Sequence, residues 1–318
     1  MTSRRTEVLV IGETVVDIIK DSQNTRAYPG GSPANVAYGL GKLERSVALL
    51  TQLGRDTNGE LAREHLAAAG VTILPTAPTA RTATSTAVLD SHGAATYEFD
   101  IDWTLPSNVE HHLAPSHVHT GSIAALTPPG ADAVETLIRS LHNTATVSFD
   151  PNIRPALLNS RADAIRRTKR FVSLADVVKA SDEDIAWLYP EVSHDAVIDE
   201  WLDRGPGIVV ITKGARGAVV ATHDHRLDVP TPRTPVVDTV GAGDSFMAAL
   251  LDSMLRIALL GVQHRSTLKS TGAQRLLQSA QRASTAASIT VSRSGANPPN
   301  VDELDAALVN SEAPAVWH

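Results

Sequence analysis

HVHTGSIAALTPPGADAVETLIRSLHNTATVSFD, residues 117–150, contains one full strand–helix–strand repeat. The runs HVHTG (117–121) and TVSFD (146–150) are short strands, each ending where polar residues begin. Between them, 128–143 reads as a helix opened by Pro-Pro-Gly. The same rhythm continues in both directions. Upstream, EVLVIG (7–12) and VALLTQLG (47–54) are short apolar runs stopped by Gly, the pattern of strands buried on both faces. TNGELAREHLAAAG (57–70) reads as a helix, capped by Asp56, Thr57 or Asn58 and closed by Gly70. Downstream, DVVKAS (176–181), GIVVITKG (207–214) and GAVVAT (217–222) extend the strand series, and helical patterns follow from Ser245 and over 273–289. Strands alternating with helices predict an α/β fold with a doubly wound, mostly parallel sheet covered on both faces. The stretch 84–101 departs from this rhythm. Its two alternating runs around Ser91-His92-Gly93 predict a hairpin. With residues near 15–28 it would form a small antiparallel flap. No internal repeat or linker divides the chain, so one domain over 1–318 is expected, with lid segments near 13–30 and 84–104.

Composition narrows the function classes. The chain has 318 residues, 42% of them hydrophobic, which is ample for a large core. Its net charge of −7 disfavours nucleic-acid and membrane-surface partners, because both are polyanions. There is no Cys, which removes disulfides, thiolate metal sites and cysteine nucleophiles. The N-terminal apolar stretch is interrupted by Gly12, Glu13, Thr14 and Asp17, so it does not read as a signal peptide. No run approaches the roughly 18–20 apolar residues of a membrane span. These features predict a cytoplasmic, soluble protein.

In a doubly wound sheet, ligands bind outside the carboxyl ends of the strands. The candidate exits are Gly12–Asp17, Gly54–Asp56, His119–Ser122, Asp150–Arg154, Ser181–Asp184 and Thr212–Gly217. A further candidate is DTVGAGDSF (238–246), where side-chain bulk disappears as a helix begins. Helix N-terminal amides lack acceptors and carry partial positive charge, and glycines let a phosphate approach them. Asp244 then has two readings: an N-cap, or a general base for a hydroxyl attacking a phosphoryl group. No Lys follows the glycines, so the loop is not a P-loop. His117 and His119 share one strand face without a metal-ligand set, which favours an ordinary surface or core pair, and His111, His112 and His142 supply no partner spacing. Trp103 reads either as an apolar lid residue or as simple packing.

A second stretch, GGSPAN (30–35), opens another helix. GGSPAN and DTVGAGDSF together resemble the two signatures of the PfkB (ribokinase-like) family of carbohydrate kinases. GETVVD, GRDTNG, DPNIR, TKGARG and SRSGANPP fall in that family's order over nearly the whole chain. The resemblance implies a ribokinase-like three-layer αβα sandwich with a small β-lid. It implies transfer of the γ-phosphate of ATP to an alcohol, with Mg²⁺ and, in many members, a monovalent cation such as K⁺. DPNIR, HTGS (119–122) and YEFDIDWTLP (97–106) look most like the fructokinase branch. 2-Keto-3-deoxygluconate, ribose and a nucleoside remain competing substrates, and a catalytically silent sugar sensor on the same scaffold remains the non-enzyme reading.

The resemblance also assigns expected roles. Asp244 is the catalytic base, and Gly241, Ala242 and Gly243 form the anion hole. Asp17, Gly31 and Asn35 are sugar ligands, since Asn both donates and accepts while Asp accepts. Arg154, beside Asn152, would hold phosphate or sugar oxygens. Thr212, Gly214, Gly217 and Asn297 line the nucleotide site, with Lys213 expected in solvent. Ser181-Asp182-Glu183-Asp184 departs from the family's N-x-x-E, so Asp184 or Glu183 would organise Mg²⁺ through water, the other reading being an N-cap cluster. Asp238 and Ser292 would border the monovalent-cation site. An exposed lid edge also leaves a homodimer through the lid open.

Overall fold

The computed structural model describes residues 6–20, 24–74, 76, 81–89, 95–105 and 114–312. In chain order, the strands are β1 (Val8–Ile11), β2 (Val15–Lys20), β3 (Thr25–Gly30), β4 (Val47–Leu50), β5 (Thr72–Leu74), β6 (Ala83–Leu89) and β7 (Ala95–Asp100). They continue with β8 (His117–Gly121), β9 (Thr146–Asp150), β10 (Val177–Ser181), β11 (Ile208–Thr212), β12 (Ala218–Ala221) and β13 (Arg226–Val229).

Nine of these form one sheet in the order β13-β12-β11-β10-β9-β8-β1-β4-β5. The pairings from β5 across to β11 are parallel, and β12 runs antiparallel to both of its neighbours. β1, β4, β8 and β9 are buried throughout, as expected of strands covered on both faces. One face packs on Gly130–Leu141, Arg161–Leu174 and His194–Asp203, where Phe149 stacks on Phe171 with centroids 5.3 Å apart. The other face packs on Ser32–Lys42, Ala242–Arg256 and Ala273–Val291. The result is the three-layer α/β architecture expected from the alternation, with helices on both sides of a mostly parallel sheet.

The remaining four strands form a second sheet, β3-β2-β6-β7. β2–β3 and β6–β7 are antiparallel, whereas β2 and β6 run parallel. The flap is therefore mixed rather than purely antiparallel, because each half is a hairpin fed separately from the main sheet. The turn at Ser91-His92-Gly93 and the residues His111 and His112 lie outside the described residues.

The main sheet reverses direction of growth at β1. The chain first adds β4 and β5 on one side, then β8 to β13 on the other. The crevice beyond β1 and β8 is thus the topological switch point, where open α/β sheets bind ligands. Among the described residues no helix is long and apolar enough to cross a membrane.

Candidate active site

Beyond β1 the chain passes Gly12 to Glu13, and beyond β8 it passes Gly121 to Ser122. These two exits meet. Glu13 is 2% exposed, its Oε2 accepts from Ala124 N at 2.9 Å, and its carboxyl also engages the Ser122 hydroxyl. Burial pushes Glu13 up to about 7, against the lowering effect of these hydrogen bonds, and the nearby Asp244 charge adds to the rise.

The helix Ala242–Arg256 begins three residues earlier than its apolar pattern suggested, and its N-cap is Gly241 in the left-handed region (φ 74°). Two constraints require glycine there: that φ, and the 2.5 Å at which a Cβ would meet the Cβ of Ala296. Asp244 therefore occupies the third helical position, and the N-cap reading is set aside. Its side chain instead turns toward the helix Ser32–Lys42. Oδ1 accepts from Ser32 Oγ at 2.6 Å and Oδ2 from Asn35 Nδ2 at 2.8 Å. The carboxyl is largely buried, at 8% exposure, beside the first amides of its own helix. Those amides have no acceptor from within the helix, although Ala242 N reaches Thr239 O at 3.3 Å. Gly31, the N-cap of Ser32–Lys42, has φ 94°, and a Cβ there would lie 2.7 Å from Glu13 O. Asn35 is the fourth residue of this helix.

Asp17 sits on β2 of the four-stranded flap. Burial raises its pKa, while a hydrogen bond with Ser85 and the charge of Arg154 lower it. Arg154 is exposed on the loop after β9 and faces Asp17 electrostatically. A Cβ on Gly30 would collide with Asp17 Oδ2, so the small residue before Gly31 makes room for that carboxylate.

Asp184 accepts from Ile153 N at 2.6 Å and from Ser181 N at 2.8 Å, while Ser181 Oγ accepts from Asp184 N. This is a capping box for Asp182–Leu188 that also pins the DPNIR loop. Glu183 is exposed. Among the described residues no three His, Asp or Glu side chains converge as a metal-ligand set. The donor set fits an Mg²⁺ held through water and phosphate oxygens rather than by a protein cage, since both Asp184 oxygens already take amides.

Thr212 lies at the end of β11 opposite Ser181 of β10. Gly214 and Gly217 adopt positive φ (56° and 90°) in the turn that follows. Lys213 is not free in solvent as expected: its Nζ pairs with Asp228 at 3.0 Å, because the β12–β13 hairpin brings that carboxylate alongside. Asp238 accepts from Val240 N and Gly295 N, and its own amide donates to Val291 O, which fastens the 238 loop to the end of Ala273–Val291. Ser292 Oγ donates to Ile289 O, and Asn297 is exposed beyond Ala296, which abuts Gly241. Asp238, Ser292, Asn297 and the Gly241–Asp244 loop thus share one rim.

Of the surface and core alternatives, the structure shows the core one for His117 and His119. His117 and His119 are buried, and Ser148 Oγ lies 2.8 and 2.9 Å from their ring nitrogens. Burial pulls each down to about 3, so both are neutral at pH 7. Trp103 is a packing residue, with Nε1 donating to Ala124 O at 3.3 Å and its ring against Gly130.

Four residues of the site carried no role in the sequence reading: Glu13, Ser32, Asp150 and Lys179. Asp150 Oδ2 accepts from Lys179 Nζ at 2.7 Å, with side-chain exposures of 1% and 5%. A lysine inside the apolar run DVVKAS was the available signal, since a strand buried on both faces must supply a partner for that charge.

The profile of the "pfkB family carbohydrate kinase" family matches residues 5–303. A fructokinase of Rhizobium leguminosarum bv. trifolii is 36% identical over 258 residues, 78% of this chain and 79% of that protein. The fructokinase from Vibrio cholerae O395 in fructose, ADP and calcium ion bound form superposes with a TM-score of 0.80 at 28% identity, over 95% of this chain and 99% of that one. A double-mutant of it with fructose, ADP and potassium ion gives 0.80 at 27%, over 97% and 100%. The ribokinase from Thermotoga maritima shares the fold, with a TM-score of 0.74 at 18% identity, over 96% and 100%.

Proposed function

The chain belongs to the pfkB family of carbohydrate kinases, and from that membership we propose that it phosphorylates a hydroxyl of fructose at the expense of ATP. One observation carries the mechanism: the carboxylate of Asp244, held by Ser32 and Asn35 at the glycine-lined start of a helix. Phosphoryl transfer depends on positioning and charge stabilisation more than on covalent chemistry. In this reading a sugar hydroxyl displaces one of Asp244's present partners and gives its proton to the carboxylate. The amides of the Gly241–Asp244 turn, Ala242 and Gly243 included, face the phosphoryl oxygens.

Asp17, Asn35 and the Gly31 backbone orient the remaining hydroxyls, and Arg154 holds an anionic oxygen near Asp17. Thr212, Gly214, Gly217 and Asn297 line the path of the nucleotide. Asp184 or Glu183 would hold Mg²⁺ through water, and the ion would supply charge neutralisation to the nucleotide phosphates. Asp238 and the carbonyls beside Ser292 offer hard oxygen ligands to K⁺. The lid covers the sugar and excludes water that would otherwise take the phosphoryl group. This reading places the enzyme in the cytoplasm.

ADP release measured over a panel of sugars tests the substrate. Fructose is expected to give the highest kcat/KM, above 2-keto-3-deoxygluconate, ribose and nucleosides, and a higher value for any of these overturns the assignment. In the same assay Asp17→Ala and Asn35→Ala raise the sugar KM by at least about tenfold, the scale of one lost polar contact (~1.4 kcal/mol), and leave the ATP KM within about twofold.

The lid face that carries Asp17 also carries Ile19, Tyr28 and Phe99, since Asp17 pairs with Tyr28 and Ser85, and Ser85 with Phe99. These three are 39%, 45% and 42% exposed. Apolar side chains on an open sheet suit a second copy of the same lid. Sedimentation at micromolar concentration is expected to give a dimer that Phe99→Glu converts to monomer. A wild-type monomer at that concentration refutes the lid interface.

A further inference from the structure

We propose that Lys179, held by Asp150, is a positioning residue for phosphoryl transfer: its ammonium props the anion-hole loop at Gly243 from beneath and supplies the positive charge that Asp150, Asp184 and Asp244 share. The proposal rests on the reading of Gly241–Asp244 as the catalytic loop.

Gly243 carries the first argument. Its φ is not positive, so its backbone conformation does not call for glycine. A Cβ built there meets one heavy atom within 4 Å, Lys179 Nζ at 3.0 Å. The ammonium therefore lies directly against the loop, and the space Gly243 leaves is the space Lys179 fills.

Charge carries the second. Lys179 is buried between Val178 and Ala180 on β10, yet the charges of three carboxylates act on it. Burial alone would lower its pKa, but Asp150, Asp184 and Asp244 outweigh it and hold the side chain charged. Of the three, Asp150 bonds the ammonium directly, while Asp184 pins the DPNIR loop and Asp244 takes the proton. One buried cation thus bonds Asp150, abuts the anion-hole loop at Gly243 and interacts electrostatically with the proposed base and with Asp184.

Energetics carries the third. A buried ion pair contributes little net stability over apolar residues of similar volume, because desolvation offsets the attraction. The β9–β10 register is already set by the parallel ladder. A strut between these strands does not need charge, whereas a support under a site that gathers phosphate and carboxylate charge does.

The test uses the full chain and a coupled ADP assay with fructose and MgATP, alongside thermal melts. Lys179→Met/Asp150→Asn removes both charges together and leaves neither unpaired. It is expected to melt near the wild type, with kcat about 10- to 100-fold lower and sugar KM within about twofold. Gly243→Ala should lower kcat in the wild type and much less in that double variant, a coupling that reports the contact itself. Wild-type kcat in the double variant, or an equal cost of Gly243→Ala in both backgrounds, overturns the proposal. Should the double variant not fold, Lys179→Arg decides. It keeps the charge and the Asp150 partner but shifts the donor geometry, so kcat falls at an unchanged melting temperature if Lys179 positions the loop, and stays at the wild-type value if the pair is only a strut. Asp244→Asn runs in parallel: its loss of turnover with wild-type kcat in the Lys179 variants sinks this inference alone, whereas retained turnover in Asp244→Asn sinks the reading beneath it.

Discussion

Asp244→Asn is expected to lower kcat by about 10²–10⁴-fold, the range over which a positioned general base contributes. The substitution is nearly isosteric. Ser32 Oγ can still donate to the new amide oxygen, and Asn35 can turn its own amide to accept from the new NH₂, so the contacts at 2.6 and 2.8 Å have replacements. Folding should change by less than about 1 kcal/mol, the net worth of an ordinary hydrogen bond. ATP binding, measured by calorimetry without sugar, should stay within about threefold, because the turn's amides are retained. What is lost is the proton acceptor. A kcat within tenfold of the wild type would remove Asp244 as the base and with it the proposed mechanism.

The largest stability effect is expected at Asp252, two turns further along the same helix. Its side chain is fully buried and accepts from Arg45 Nε at 2.7 Å, Arg282 Nε at 2.9 Å and Arg256 Nε at 3.0 Å. Arg282 also reaches Asp305 at 2.6 Å. This carboxylate therefore joins Ala242–Arg256 to Ala273–Val291 and to Arg45, three residues beyond Ser32–Lys42, while Arg282 carries the link on to Val301–Glu312 through Asp305. Asp252→Ala leaves Arg282 buried without its central partner. Breaking a buried pair from one side costs about 3–5 kcal/mol, to be read as a lower denaturation midpoint at unchanged slope. A loss below about 1 kcal/mol would show that water reaches the arginines and replaces the carboxylate.

The layers of this fold were legible because buried parallel strands and amphipathic helices write different periods into the chain. The flap was legible from two alternating runs, but its parallel β2–β6 pairing was not, because nothing local records which hairpin edge meets which. The Gly-Ala-Gly-Asp loop stood out by composition. Its helix starts three residues before the apolar pattern does, since Gly241 at the N-cap and Gly243 in the first turn have low helical propensity, and the space they leave is set by Ala296 and Lys179, which are distant in sequence. Lys213 was assigned to solvent because its partner, Asp228, becomes adjacent only when the hairpin closes. The Asp150–Lys179 pair was missed for a related reason. Its members end and interrupt two different apolar runs, and the parallel register between β9 and β10 is what brings them together.

The mixed flap also has a consequence for how the polypeptide assembles. Val15 must find Ala83, and the intervening chain includes β4 and β5, which belong to the other sheet, and the helix Thr57–Ala68. Closing so long a loop is entropically costly unless those segments have already docked. The four-stranded flap is therefore expected to pair after the main sheet has formed and to exchange its amide hydrogens sooner than that sheet does, which hydrogen exchange on β2 and β6 would check.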